Sequence, residues 1–339
     1  MTMIVPSTAL TPNWLAHRYD PSHDAFQFVD VDRTTRARVP FLTDENLGAL
    51  VPKIIQRGDA SISQEAHAPV RYIFHSAYCC STLLANAYDR PGLSFSLKEP
   101  VILNDIVGWR HRGASPAQAG AVLADSIALL ARPFTPGELC VIKPSNVVNG
   151  LAAAMIGGRA DCAALLLYAP LSVYLGSIAG KGLWGRLWVR DLLAKQLTDG
   201  MNDFGFSPQD LFLQTDLQVA AVGWMTQHAL FARLATTFPD RVRTLDSEVM
   251  LARPLETLAA LDALFGVNDT QSGRVSIVAR EFSRNAKSGG AFSALDRTAA
   301  QSDANLVHGD EIAKVVSWAE AVAEPFGMSF VLPSPLLDS

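Results

Sequence analysis

Residues Val70–Pro100 read VRYIFHSAYCCSTLLANAYDRPGLSFSLKEP, and the punctuation of this stretch decides the fold. Val70–His75 has the composition of a strand and runs into small and polar residues, Ser76–Cys80, where the chain must turn. Ser81 and Thr82 then open an apolar-patterned helix, Ser81–Asp89, with Leu83, Leu84, Ala87 and Tyr88 at helical spacing. A second strand, Leu93–Lys98, follows. Such a strand, loop and helix gather several backbone N–H groups and the positive end of a helix dipole at one point. That point suits a phosphate or a sulfate.

Outward from this unit the pattern continues. Helices are expected at Val101–Trp109, Ser115–Arg132, Ser145–Met155, Pro170–Ser177, Trp184–Thr198 and Asp216–Phe238, with Ser115 and Thr215 as N-caps. Strands are expected at Leu139–Lys143, Cys162–Tyr168 and Val242–Leu245; the second is an almost unbroken apolar run, as a central parallel strand requires. Arg253–Phe265 reads as a helix stopped by Gly266, residues 271–309 as a polar loop, and Glu311–Phe326 as a closing helix. Toward the N-terminus, residues 1–23 read as an extended arm. Ala25–Asp32 and Thr34–Leu42 read as a hairpin, and Thr43–Arg57 as a short helix kinked by Pro52. Strands alternating with helices make the class α/β with a mainly parallel sheet. Ligands of such sheets lie at the carboxyl ends of the strands. The turns after four strands carry polar residues: His75–Thr82, Glu99, Lys143–Asn146 and Tyr168–Ser177.

Composition sets the outer bounds. The chain has 339 residues, 49% hydrophobic and 18% charged, with a mean hydropathy of +0.17. That supports a generous core and excludes a disordered chain. A net charge of −5 disfavours a broad nucleic-acid surface. The most apolar windows, such as Leu151–Ile156 and Ala163–Tyr168, are too short to span a membrane, and no signal-peptide pattern is visible. A soluble, cytoplasmic protein is expected. Its four cysteines, Cys79, Cys80, Cys140 and Cys162, have neither zinc nor disulfide-framework spacing and read as reduced, buried thiols. His75 beside Cys79 and Cys80 also permits a thiol enzyme, but adjacent cysteines after a strand are more often core residues.

Three pieces of the opening stretch, Ser81-Thr82-Leu83-Leu84, Pro91-Gly92 and Glu99-Pro100, resemble the 5′-phosphosulfate-binding unit of bacterial sulfotransferases. No G-x-x-x-x-G-K-[ST] motif occurs. The resemblance implies a P-loop-type three-layer α/β/α fold with a mainly parallel central sheet and an N-terminal hairpin extension. Residues 1–66 would form the arm, hairpin and short helix, and 67–339 the main domain. It implies 3′-phosphoadenosine 5′-phosphosulfate as co-substrate, no metal, and a small-molecule or carbohydrate acceptor. Neither nucleic acid nor membrane is expected as a partner, and the oligomeric state stays open.

By the same resemblance Ser81 and Thr82, with Ser76, Cys79 and Cys80 in the loop, would hold the 5′ side of the donor. Glu99 would be the base and Lys143 would assist. Ser177 and the late segment Phe282–Phe292, with Arg284, Lys287 and Gly289, would hold the 3′-phosphate. The chain departs from the family where Tyr78, Cys80 and Tyr168 stand in place of a cation, a glycine and an arginine. Lys98 or Lys143 could supply the loop's cation, and Lys181, Arg186 and Arg190 the missing arginine. Glu99 reads equally as a carboxylate at the start of the following helix. Two functions therefore stand at this level: a sulfuryl transferase acting on a hydroxyl or amine, and an inactive P-loop-fold binding or interaction protein with a degenerate nucleotide site. A kinase or nucleotidase is opposed by the missing Walker lysine.

Overall fold

The computed structural model describes residues 10–60, 67–282 and 294–337, with side chains described outside 294–305. In chain order the strands are β1 (Trp14–Asp20), β2 (Ala25–Asp30), β3 (Lys53–Gln56), β4 (Val70–His75), β5 (Ser94–Lys98), β6 (Leu139–Lys143), β7 (Ala163–Tyr168) and β8 (Val242–Asp246). The first seven helices are α1 (Arg33–Arg38), α2 (Asp44–Leu47), α3 (Ser81–Asn86), α4 (Val101–His111), α5 (Pro116–Leu130), α6 (Ala152–Gly157) and α7 (Leu171–Ala179). They are followed by α8 (Gly182–Thr198), α9 (Pro208–Leu213), α10 (Asp216–Thr237), α11 (Ser247–Ala252), α12 (Pro254–Phe265), α13 (Gln271–Glu281) and α14 (Ala294–Ala323). A three-stranded sheet has the order β1-β2-β3, and a five-stranded sheet the order β5-β6-β4-β7-β8. The first is antiparallel; in the second the pairs β4 with β6, β5 with β6 and β7 with β8 are parallel. The class is thus α/β with a parallel sheet and an N-terminal hairpin sheet. Among the described residues no helix is long and apolar enough to cross a membrane.

By its contacts the chain divides into two compact units, Met1–Tyr72 with Ala85–Cys162, and Ile73–Leu84 with Ala163–Ser339. In the first, β4 contributes Val70–Tyr72 to the pairing with β6, and β5 and β6 are buried along their full length. The hairpin sheet packs on α4 through Tyr19, whose ring lies 5.5 Å from that of Trp109. Glu138, fully buried ahead of β6, is not left as a bare charge. Its carboxylate accepts from Arg33, at 2.5 Å, and from the amides of Gly92, Phe134 and Thr135. The turn before β5 and the segment Arg33–Arg38 are thereby tied to one carboxylate.

In the second unit Leu165, Leu166 and Leu167 of β7 are wholly buried, as the unbroken apolar run requires. The helix α10 buries Trp224 and Phe231, ties itself to the end of β7 through the Trp224 indole donating to Ala169 O at 2.8 Å, and starts at a capping box in which Thr215 accepts from the Gln218 amide. Gly266 ends α12 in the left-handed conformation, φ 75°, where a side chain would be strained.

Three expectations are corrected. The hairpin is not Ala25–Asp32 with Thr34–Leu42: β2 pairs with β1 and β3, and Arg33–Arg38 is a helix. Asp32 caps that helix by accepting the Thr35 amide at 2.7 Å. The buried Arg36 satisfies the carbonyls of Pro12, Asn13 and Val31. A cap and a buried guanidinium outweigh the local alternation. Thr43–Arg57 is not one helix either. It is helical only over Asp44–Leu47, turns at Gly48 (φ 74°), and pairs as β3 after Pro52. Finally, 271–309 is not a continuous loop but holds α13 and the start of α14. Thr270 caps α13 by accepting the Gly273 amide, Arg274 binds Asp262 at 2.8 Å, and Ile277 is buried. Those tertiary ties make a helix of a polar sequence.

Candidate functional site

The loop after β4 belongs to the second unit. Ala77, Tyr78 and Cys80 all take left-handed backbone conformations, with φ of 72°, 53° and 58°. Each such residue costs about 1–3 kcal/mol outside glycine, so the surroundings must hold the loop. Ser76 does much of this: its amide donates to Leu167 O at 3.1 Å, its hydroxyl accepts from Ala169 N at 3.1 Å and donates to Ala77 O at 3.2 Å. The amide of Ala77 donates to Nδ1 of His75 at 3.0 Å. Cys79 is buried and Cys80 half-buried, and neither is in a disulfide.

Ser81 and Thr82 open α3. Both are more than nine-tenths buried, and neither hydroxyl bonds a described residue. The first amide to close a helical turn is Leu84 N, donating to Cys80 O at 3.2 Å. Tyr78, where the resemblance leads to a cation, instead packs edge-on against Tyr174 at 5.9 Å and Trp188 at 5.6 Å. Burial pushes its phenol up to about 12. Tyr168, where an arginine was expected, ends β7 with its ring edge-on to His228 at 4.9 Å. Its phenol too is raised to about 12, first by burial and then by the Asp246 charge. Ser177 spends its hydroxyl on Val173 O, 2.9 Å away inside α7. Arg190 binds Asp216 at 2.6 Å and Gln214 O at 2.9 Å; Arg186 lies 3.8 Å from Asp216 and 3.7 Å from Glu311. Lys181 is exposed. Arg284, Lys287 and Gly289 lie outside the described residues.

Glu99 and Lys143 belong to the first unit, at the carboxyl ends of β5 and β6. Parallel pairing sets Lys98 opposite Lys143. The amide of Glu99 donates to Lys143 O at 2.7 Å, and the ammonium of Lys143 donates to the Glu99 carboxylate. Lys143 is 1% exposed in its side chain, Glu99 19%. Glu99 is itself left-handed, φ 51°, which turns its carboxylate back to the neighbouring strand end. Lys98 is equally buried, but its ammonium is held by Ala37 O at 2.6 Å and Asn86 Oδ1 at 2.8 Å. Of the two lysines, Lys143 is therefore the one turned to the proposed base. Sequence reading missed Phe41, whose ring lies 5.2 Å from the Lys143 ammonium. It also missed Asn86 as the partner of Lys98. Neither contact has a local signature, because each joins segments distant in sequence.

Chemically, the first group offers two hydroxyls and a fixed backbone at the start of a helix, which suit an oxyanion ligand. The second is a buried ammonium bound to a carboxylate, a pair that can hold and move a proton.

No protein-family model matches the chain, and no curated protein matches it. Among solved structures, the sulfotransferase domain of the Synechococcus PCC 7002 olefin synthase aligns with 79% of this chain and 97% of its own, at 13% identity and a TM-score of 0.41. A sulfotransferase from Alicyclobacillus acidocaldarius aligns over 63% and 91%, at 14% identity and a TM-score of 0.36. The sulfotransferase domain of the curacin biosynthetic pathway aligns over 81% and 95%, at 14% identity and a TM-score of 0.36. The functional reading rests on the chain's own residues.

Proposed function

We propose that this chain is a sulfotransferase-like protein that takes a sulfuryl group from 3′-phosphoadenosine 5′-phosphosulfate and passes it to a hydroxyl or amine. One observation carries the reading. Ser81 and Thr82 present hydroxyls without a partner among the described residues at the start of α3, straight after a loop held in left-handed conformations. Ser76, by contrast, is consumed in holding that loop. In this reading Ser81 and Thr82 bind the 5′-phosphosulfate, and Cys79 and Cys80 lend backbone rather than thiol chemistry. Glu99 accepts the acceptor's proton as its oxygen or nitrogen attacks sulfur. The bond from sulfur to the bridging oxygen breaks, and its electron pair leaves on the adenosine 3′,5′-bisphosphate. Lys143 holds Glu99 in place and offsets the negative charge of the reacting groups. Ser177, Arg284, Lys287 and Gly289 are assigned to the 3′ side. The donor, the acceptor and a cytoplasmic location are parts of the proposal.

Calorimetric titration with adenosine 3′,5′-bisphosphate, against ATP as control, tests it. Micromolar binding is expected in the wild type. It should weaken at least tenfold in Ser81→Ala/Thr82→Ala and persist in Glu99→Gln, which should instead lose transfer. Absence of binding at millimolar ligand in folded protein would remove the donor site, and with it the reading.

A further inference from the structure

A cleft of about 540 Å³ lies between the hairpin sheet and α4, within the first unit and apart from the residues assigned above. That volume is in the range of small-molecule sites. Its polar walls divide into groups already spent and groups left over. Arg18 is spent: it binds Asp105 through two nitrogens at 2.8 Å and Asp44 at 2.5 Å. His17, only 5% exposed, donates from Nε2 to Asp44 Oδ1, 2.7 Å away. Arg112 is left over. Its guanidinium has no carboxylate partner among the described residues, yet it folds back along α4, with Nη1 3.1 Å from where a side chain on Gly108 would begin. Gly108 thus leaves the space in which the guanidinium lies. Gln27, half-buried on β2, has a side-chain amide with no described partner. Asn104 carries a buried Oδ1 that no described donor satisfies, a demand that a buried acceptor normally has met. Asp44, though bound on both oxygens, keeps 60% of its side chain exposed.

We propose that this cleft binds a small polyhydroxylated acid, a molecule of sugar size with one carboxylate or phosphate. Arg112 receives the anionic group, as a guanidinium free of intramolecular pairing does best. Asn104, Gln27 and Asp44 take the hydroxyls, and a plain hydrocarbon would leave the buried Asn104 Oδ1 unsatisfied. The fixed pair of Arg18 with Asp105 keeps the walls rigid and, among the described lining residues, leaves Arg112 as the cation for the ligand. The site stands on its own geometry and does not depend on the transferase reading.

The test is titration of the full chain with D-glucuronate, D-gluconate and glucose 6-phosphate, with D-glucose and acetate as controls. At least one of the acids should bind saturably, tenfold or more tighter than either control. A carboxylate preference or a phosphate preference then names the anion. Arg112→Ala should weaken that binding at least tenfold. Gly108→Ala, a change that favours the helix, should weaken it as well, by displacing the guanidinium. Circular dichroism and melting temperature confirm that both variants fold. The proposal is overturned if none of the three acids binds, if glucose binds as tightly as they do, or if Arg112→Ala leaves the affinity unchanged.

Discussion

Four residues decide the chemistry at the smallest scale, and each is an L-residue where glycine would be easier. Ala77, Tyr78, Cys80 and Glu99 all have φ between 51° and 72°, the first three in the loop after β4 and Glu99 immediately after β5. The conformations are imposed by the Ser76 bonds and by the Glu99 amide on Lys143 O, which outweigh the strain. Replacing Ala77 by glycine removes the strain and keeps the bonds. Ala77→Gly should therefore stabilise the fold by about 0.5–1 kcal/mol, the left-handed penalty less glycine's entropy cost. Chemical denaturation measures it; a clear loss of stability would show that the methyl group, not the backbone, matters there. Little of this was legible in sequence. The loop and its hydroxyl pair could be read from Ser81-Thr82. That Ser76 is consumed, that Tyr78 turns to Tyr174 and Trp188, and that Phe41 covers Lys143 are tertiary facts without a local pattern.

Elements were legible where periodicity and caps agree. β4 and β6 fall at the expected residues, and α5 and α10 begin where Ser115 and Thr215 announce them. The polar run from 271 was not legible, because its helix depends on Arg274 reaching Asp262 rather than on an apolar stripe. The interior of α10 holds a further consequence. His228 is 2% exposed, stacked on Trp224 at 4.0 Å and bonded to Phe330 O. Burial lowers its pKa to about 4, against a smaller raising effect of the carbonyl. Its folded pKa lies below the unfolded value, so the unfolded chain binds the extra proton between them. The stabilisation is complete above about 6.5 and is lost as pH falls through about 4, amounting to roughly 3 kcal/mol over the window. Melting temperatures from pH 7 to 4 should fall for the wild type. In His228→Gln the same series should be flatter. Equal slopes in the two proteins would place the acid sensitivity elsewhere.

At the scale of the whole molecule, a parallel sheet, a left-handed loop and a buried lysine–carboxylate pair make one global prediction. A ligand that binds only folded protein adds RT ln(1 + [L]/Kd) to its stability, about 2.7 kcal/mol at a hundredfold excess over Kd. The unfolding entropy of a chain with 339 residues is about 0.7 kcal/mol per kelvin at the usual per-residue value, so the midpoint should rise by about 4 °C. Adenosine 3′,5′-bisphosphate should produce this shift. ATP, lacking a 3′-phosphate, should produce a smaller one, and Ser81→Ala/Thr82→Ala, weakening the 5′ side at least tenfold, should cut the bisphosphate's shift by about 2 °C or more. Lys143→Met separates binding from catalysis. It leaves the Ser81 and Thr82 hydroxyls in place but releases Glu99 from its ammonium, so the thermal shift should survive while transfer is lost. A variant that loses both would move Lys143 from the reaction to the scaffold of the donor site.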